Sequence, residues 1–282
     1  MTATGRRHAT SGADSESHRL HMFAEELRAQ REAAGLTQEQ LAKLMGYSTS
    51  VIAKLETCRT FPSPQHAEQS DTALKTPGTF QRIRAAMTTA MFEPWFLSYL
   101  DIESRATILR SWEPLVVPGL LQTEAYARAM LRAGRPGDSD AEIDKHVAAR
   151  MTRQGIWERE APCPPLLSVI LGEAVLRQRV GNNSIMRDQL GRLTQAADNP
   201  RITMQVMPFA TAAHPGMLGP FVVASFDDGP DAAYLDNALN GQVTERRKEV
   251  SRVSLLYDTL RSEALSPRAS QDLISKVMQE WT

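Results

Sequence analysis

Cysteine is almost absent: Cys58 and Cys163 are the only two in 282 residues, and they form no C-x-x-C pair. A disulfide scaffold and a thiolate zinc site are thereby excluded, and a reducing compartment suits the chain. Long apolar runs are missing too. None approaches the ~18 residues of a membrane span, and charge stands near the start where a secretory signal needs an apolar stretch, so a cytoplasmic protein is expected. Charge of one sign is also lacking, since 32 Lys+Arg face 33 Asp+Glu for a net −1. That rules out a polybasic coat, and any nucleic-acid binding has to be local. What is present is 42% hydrophobic and 23% charged residues, the proportions of a soluble globular chain. At ~100–200 residues per domain, the length accommodates two domains.

Residues 1–21 are Ser, Thr, Gly and Ala with scattered charge, too polar to offset ordering entropy by burial, and read as a disordered arm. From 22 to 76 the pattern is helical, broken at Gly35, Gly46 and Pro62 to Pro64. Residues 77–91 read as a connector that enters a further helical stretch, with Phe80, Ile83 and Met87 at helical spacing. Residues 92–282 form the larger domain. It reads as helical to about Glu160, then as strands at 166–171, 202–206, 221–226 and 232–235, and closes with two helices, the second entered at Ser266-Pro267. The fold class is therefore α+β: an N-terminal all-α domain joined to a larger helical domain with a small β-sheet.

The informative segment is FAEELRAQREAAGLTQEQLAKLMGYSTSVIAKLETCRTFPSP, residues 23–64. Gly35 suits a left-handed helix end, and Thr37 with Gln40 three residues on makes a capping box for the next helix. Ala42 is small where helices cross, Gly46 supplies a sharp turn, and Ser48 is placed to cap a third helix. Leu41, Met45, Ile52 and Leu55 then face inward, which leaves Ser48, Thr49, Ser50, Ala53 and Lys54 as a short, polar outward face.

This arrangement resembles the XRE-type helix-turn-helix of the phage-repressor group, in its L-x-x-x-R-x-x-x-G-L-T-Q-x-x-L-A-x-x-x-G pattern and its closing I-x-x-L-E. The resemblance implies double-stranded DNA as partner, with the helix after Gly46 in the major groove. By position, Gln38 and Ser48 would touch phosphate, Thr49, Ser50 and Lys54 would face base edges, and Arg59 would hold a phosphate. One departure stands out: Thr57-Cys58-Arg59 follows Leu55-Glu56 where the family has a glycine. Residues 1–76 hold nine basic and nine acidic side chains, so one copy should bind modestly. A homodimer on a palindromic operator would restore affinity.

From about Phe92 to Ile274 the chain resembles a C-terminal domain of unassigned role found in many actinobacterial XRE-type regulators. The carriers are Val117 to Thr123 (VPGLLQT) with Tyr126-Ala127, Ala149-Arg150 through Arg153-Gln154, Glu173 to Leu176, Gln189-Leu190, Gln205 to Phe209, His214-Pro215-Gly216 and Gly219 to Phe221. Members are similar to regulators encoded beside small partner proteins, some described as antitoxin-like. The resemblance thus implies a domain that binds a small protein partner or senses an effector.

The candidate partner or ligand residues are Trp112, Gln122, Tyr126, Arg150, Gln154 and His214. The Val117–Thr123 turn fits a functional role and a purely directional one equally well. Trp95, Trp112 and Trp157 could line a pocket, although aromatics at such spacing usually belong to the core. The loop 209–219 is a candidate lid or docking segment.

Enzyme signatures fail: H-E-x-x-H, G-x-S-x-G, G-x-x-x-x-G-K-[ST] and a post-strand G-x-G-x-x-G are all missing. Asp227-Asp228 suits a turn better than a metal, and Arg246-Arg247-Lys248 suits a solvated helix start better than a phosphate site. The expectation is a DNA-binding regulator that is not an enzyme and uses no metal or cofactor. A small-molecule-sensing regulator is the alternative, and an enzyme carrying a DNA-binding module the remoter one.

Overall fold

A computed structural model describes residues 12–282 apart from 60–61, 92–93, 160–162 and 238–239; the side chains of 12–19 and 88–95, Trp95 among them, lie outside the description. The chain divides into two compact units. The first runs to Met91 and takes in Gly137–His146; the second comprises Phe92–Pro136 and Val147–Thr282.

Five helices build the first unit: α1 Gly12–Ala33, α2 Gln38–Met45, α3 Thr49–Glu56, α4 Pro64–Leu74 and α5 Thr79–Met91. Phe23, Leu27, Leu41, Met45, Ile52, Leu55, Ala67, Phe80 and Met87 meet in one core, with the Phe23 and Phe80 rings edge to face at 5.3 Å. Two sequence expectations change here. Helix α1 reaches back to Gly12, so ten residues of the expected arm (12–21) are helical; residues 1–11 lie outside the description. Once Phe23 and Leu27 anchor the helix by burial, extending it backwards avoids the nucleation cost, and this stretch holds no proline. Residues 79–91 are likewise a fifth helix of this unit rather than a connector, because fully buried Phe80 and Met87 complete its core.

The second unit holds α6 Pro94–Arg105, β1 Ile108–Glu113, α7 Glu124–Gly134, the part of α8 (Asp140–Arg153) from Val147 onward, β2 Leu166–Gly172, α9 Glu173–Arg177, α10 Asn183–Ala196, β3 Ile202–Met207, β4 Phe221–Ser225, β5 Ala232–Asp236, β6 Gly241–Thr244, α11 Arg247–Glu263 and α12 Pro267–Glu280. Short 3-10 turns lie at Gly119–Leu121, Gln154–Glu158 and Pro215–Leu218. The sheet order is β3-β2-β1-β4-β5-β6. Strands β1 to β3 run parallel, and β4, β5 and β6 add antiparallel.

Alternation along the strands separates two cores. Leu109, Leu167, Val169, Leu171 and Tyr234 face one way with residues of α10 and α12, while Trp112, Ile170, Phe221, Val223 and Ala233 face the other with α11. The sheet is larger than expected, since β1 and β6 were not legible as strands. Strand β1 sits at its centre, so both faces are covered and its sequence, ILRSWE, lacks the simple alternation of a half-exposed strand. No described helix is long and apolar enough to cross a membrane.

Candidate functional site

The turn between α2 and α3 forms as the sequence predicts. Thr37 accepts from the Gln40 amide while the Gln40 side chain accepts from the Thr37 amide. Gly46 adopts φ +75°, a left-handed conformation that disfavours any side chain. Leu41, Ala42, Met45, Ile52 and Leu55 are buried. On the other side of α3, Thr49, Ser50, Lys54 and, beyond the helix, Arg59 are exposed, with Ala53 half-buried among them. Positions 49 and 53, and 50 and 54, are one turn apart, so they share one face. Ser48 has the extended backbone of a cap, yet its hydroxyl makes no capping bond and lies 3.1 Å from the Ser50 hydroxyl.

Gln38, read from the sequence as a phosphate contact, instead donates its side-chain amide to the Glu56 carboxylate at 2.8 Å. Glu56 is wholly buried and also receives Arg31 at 2.6 and 3.0 Å; its backbone carbonyl accepts from Arg28 at 3.2 Å. Arg31 further donates to the Leu36 carbonyl at 3.0 Å. Burial alone would raise the Glu56 pKa, but the hydrogen bonds from Arg31 and Gln38 prevail and hold it below the usual carboxylate value. The hydrogen bond from Arg31 to Glu56 raises the guanidinium in turn. The R, Q and E of the sequence pattern are thus partners of one another, and they lock the start of α2 to the end of α3.

Cys58 occupies the left-handed position where the family pattern has glycine, at φ +57°. Its amide donates to the Leu55 carbonyl and that of Arg59 to the Lys54 carbonyl, which is the two-bond closure of a helix ending in a left-handed residue. Loop geometry is therefore kept, with a side chain in a strained conformation. Sequence reading missed Asp71. Its carboxylate accepts from the Thr76 hydroxyl and from the Phe80 and Gln81 amides, so a residue of α4 caps α5. Burial works against the charged carboxylate, but these three donors prevail and lower its pKa.

In the second unit, four of the six candidate residues come together around Val117–Thr123. Gln122 donates to the Val117 carbonyl at 2.7 Å, Tyr126 accepts from the Val117 amide at 3.4 Å, and Gln154 donates to the carbonyls of Gly119 and Gln122 at 2.9 and 2.7 Å. Arg150 donates to the Gln122 side-chain oxygen at 3.0 Å. Gln189 accepts from Thr123 and donates to Leu121, and Trp157 donates to Leu120. These bonds fix the path of the turn, which favours the directional reading for Gln122, Tyr126 and Gln154.

Trp112 and His214 lie on the opposite sheet face. The Trp112 indole donates to the Gly216 carbonyl at 2.8 Å, and its ring meets His214 edge to face at 5.5 Å. The loop 209–219 is thereby pinned at Gly216, while Phe209, Met217 and Leu218 remain exposed. Asp227 and Asp228 occupy the β4–β5 connection, as a turn requires. Among the described residues, no group of three or more His, Cys, Asp or Glu could hold a metal.

Comparison with known families matches residues 22–80 to a helix-turn-helix domain and residues 96–276 to a family described as "Domain of unknown function (DUF5753)". The first match supports a DNA-binding regulator. No curated protein and no solved structure matches the chain.

Proposed function

We propose, for a chain that belongs to the family of DUF5753 domains and carries a helix-turn-helix domain ahead of it, that it is a sequence-specific transcription regulator of the XRE type. The supporting observation is the outward face of α3, where Thr49, Ser50 and Lys54 stand exposed one turn from a sharp Gly46 bend while Ile52 and Leu55 hold the helix from beneath. A helix held that way can enter a major groove and read base edges with its N-terminal residues. Ser48 and Arg59 then face phosphate. Gln38 acts one step back, fixing the angle between α2 and α3 through Glu56.

The equal count of acids and bases in residues 1–76 makes a homodimer on a palindromic site the economical way to reach operator affinity. The second domain serves as the input, by binding a small antitoxin-like protein partner or an effector, and the protein works in the cytoplasm without catalysing a reaction. The direct experiment retains sheared genomic DNA on the purified full chain at near-physiological salt and sequences it, with a Thr49/Ser50/Lys54 triple-Ala variant as control. Enrichment of one palindromic site, lost in the variant, is expected; equal retention by both proteins would remove α3 as the reading element.

A further inference from the structure

The two most exposed large apolar side chains among the described residues are neighbours. Met217 is 73% and Leu218 88% exposed, and both belong to the 3-10 turn Pro215–Leu218 of the loop that carries β3 into β4. Such contact with water forgoes the gain from apolar burial, so a loop free to rearrange would turn these residues inwards.

This loop is not free to rearrange. Its start is fixed by the Phe209 amide, which donates to the Glu173 carboxylate at 2.9 Å, and by the Thr211 amide, which donates to the Pro208 carbonyl at 3.0 Å. Further on, the Trp112 indole donates to the Gly216 carbonyl at 2.8 Å, and the 3-10 turn packs on α11. Gly216 is pressed so closely to the indole that a Cβ there would lie 2.6 Å from the ring. A 3-10 turn has three residues per revolution, so with Gly216 turned to the indole, Met217 and Leu218 point away from it. Their exposure follows from the way the loop is held.

Sheet register continues the apolar surface beyond the turn. Phe221, three residues after Leu218, pairs with Trp112 on one side and with Leu235 on the other, and directly opposed residues share a sheet face. Leu235, 38% exposed, therefore stands on the same face as the indole that the loop covers, at the outer end of that row. Charge is missing from the loop: no Lys, Arg, Asp or Glu occurs between Arg201 and Asp227.

We propose that Met217 and Leu218, on the face that Leu235 continues, form the centre of a contact between two copies of this chain, a proposal that rests on the homodimer reading above. A two-fold contact sets the same patch against itself, so a charged side chain near the axis would meet its own like charge. An uncharged apolar patch is compatible with its own copy, and depletion of charge with enrichment of Met is the composition of an interface core. A partner recognised by opposite charge would find no charged group on this loop. A loop already ordered also gives up little further freedom on association.

The experiment is sedimentation equilibrium of the full chain without DNA over a range of concentrations. Wild type is expected to reach twice the mass of one chain. Leu218→Asp and Met217→Asp are each expected to raise the dimer dissociation constant about tenfold or more, because a few central residues carry most of the energy of an interface. Leu255→Asp, at a leucine of α11 that is 66% exposed, is expected to leave the constant unchanged. Leu218→Ala, with a rise of about three- to tenfold, decides the matter if the aspartate variants fail to fold. A wild-type dimer that these Met217 and Leu218 variants leave equally tight would overturn the proposal and keep the homodimer reading. A wild type that stays monomeric would overturn both, and equal weakening by Leu255→Asp would overturn the assignment to this loop.

Discussion

Arg31 and Glu56, 25 residues apart in sequence, meet at 2.6 Å inside the helical unit, where Gln38 joins them from the start of α2. The Glu56 side chain is wholly buried and that of Arg31 is 11% exposed, so this pair is shielded from the solvent screening that weakens surface ion pairs. Through it, the angle at which α3 leaves α2 depends on the first helix.

Removing one member of the pair leaves the other as an uncompensated charge. Glu56→Ala is expected to lower stability by about 3–5 kcal/mol, and Gln38→Ala by about 1 kcal/mol, measured from denaturation midpoints at constant slope. The folded Glu56 pKa lies below its unfolded value, so its contribution is complete above the unfolded pKa and disappears as pH falls through the lower folded one. Glu56→Gln should flatten that acid limb. Equal losses in Glu56→Ala and an exposed Glu39→Ala control would show that the pair adds nothing.

Cys58 holds a conformation that glycine adopts freely. Cys58→Gly is expected to stabilise the protein by about 0.5–1 kcal/mol, because relief of left-handed strain outweighs the added freedom of the unfolded chain. Cys58→Val should destabilise it, since a β-branched side chain is least tolerated there. Thermal melts of the two variants should move in opposite directions.

His66 caps α4 together with Ser63: its Nδ1 accepts from the Ser63 amide, and the Ser63 hydroxyl accepts from the His66 amide. Burial, with Arg84 adding to it, pushes its pKa from 6.5 down to about 4. A depressed folded pKa means that the unfolded chain takes up the proton first, so stability is full above about 6.5 and declines as pH falls towards 4. The loss reaches up to about 3 kcal/mol on the one-unit, 1.36 kcal/mol scale. As pH falls from about 6.5 to 4, the protein should lose stability relative to its His66→Gln variant, and parallel pH profiles of the two would contradict the assignment.

On DNA, Lys54 and Arg59 should behave differently. Lys54→Ala is expected to lose about 1–3 kcal/mol on the preferred site and to change which base is preferred, as a base contact would. Arg59→Ala should weaken all sequences alike and reduce the salt slope by about one. Binding isotherms on matched and mismatched duplexes at two salt concentrations separate the two cases. If both variants lost affinity uniformly, Lys54 would be a phosphate contact.

Trp112 lies directly on Gly216. A methyl added at Gly216 would stand 2.6 Å from the indole ring, and the hydrogen bond from that ring to the Gly216 carbonyl shares the same contact. Gly216→Ala is expected to cost about 1–3 kcal/mol by overpacking and to shift Trp112 fluorescence as the loop lifts. A silent spectrum with unchanged stability would mean that the loop gives way easily.

Local signals carried much of this molecule in readable form. The Thr37–Gln40 box, the left-handed Gly46, the inward Leu41, Met45, Ile52 and Leu55, the β4–β5 hairpin and the Ser266-Pro267 helix start are each determined within a few residues, by backbone preference and periodicity. The match of residues 96–276 to one family likewise rests on sequence alone. Strand β1 escaped because a strand covered on both faces loses its alternation; the helical spacing of Phe80, Ile83 and Met87 was legible, but not that α5 belongs to the first unit, because its start is held by Asp71, eight residues before it. Gln38 could be placed at a helix start but not given a partner, since Glu56 reaches it only after α3 has folded back.

The same division holds in the second unit. The sequence by itself determined that Val117–Thr123 is a turn feeding a helix. Only the tertiary structure decided that Gln122, Gln154 and Gln189 clamp it, and that Glu113 and Asp236, 123 residues apart on two strands, lie at one end of the sheet. Backbone conformation follows from neighbours along the chain, whereas the balance of a buried charge depends on groups that only the completed fold brings within reach.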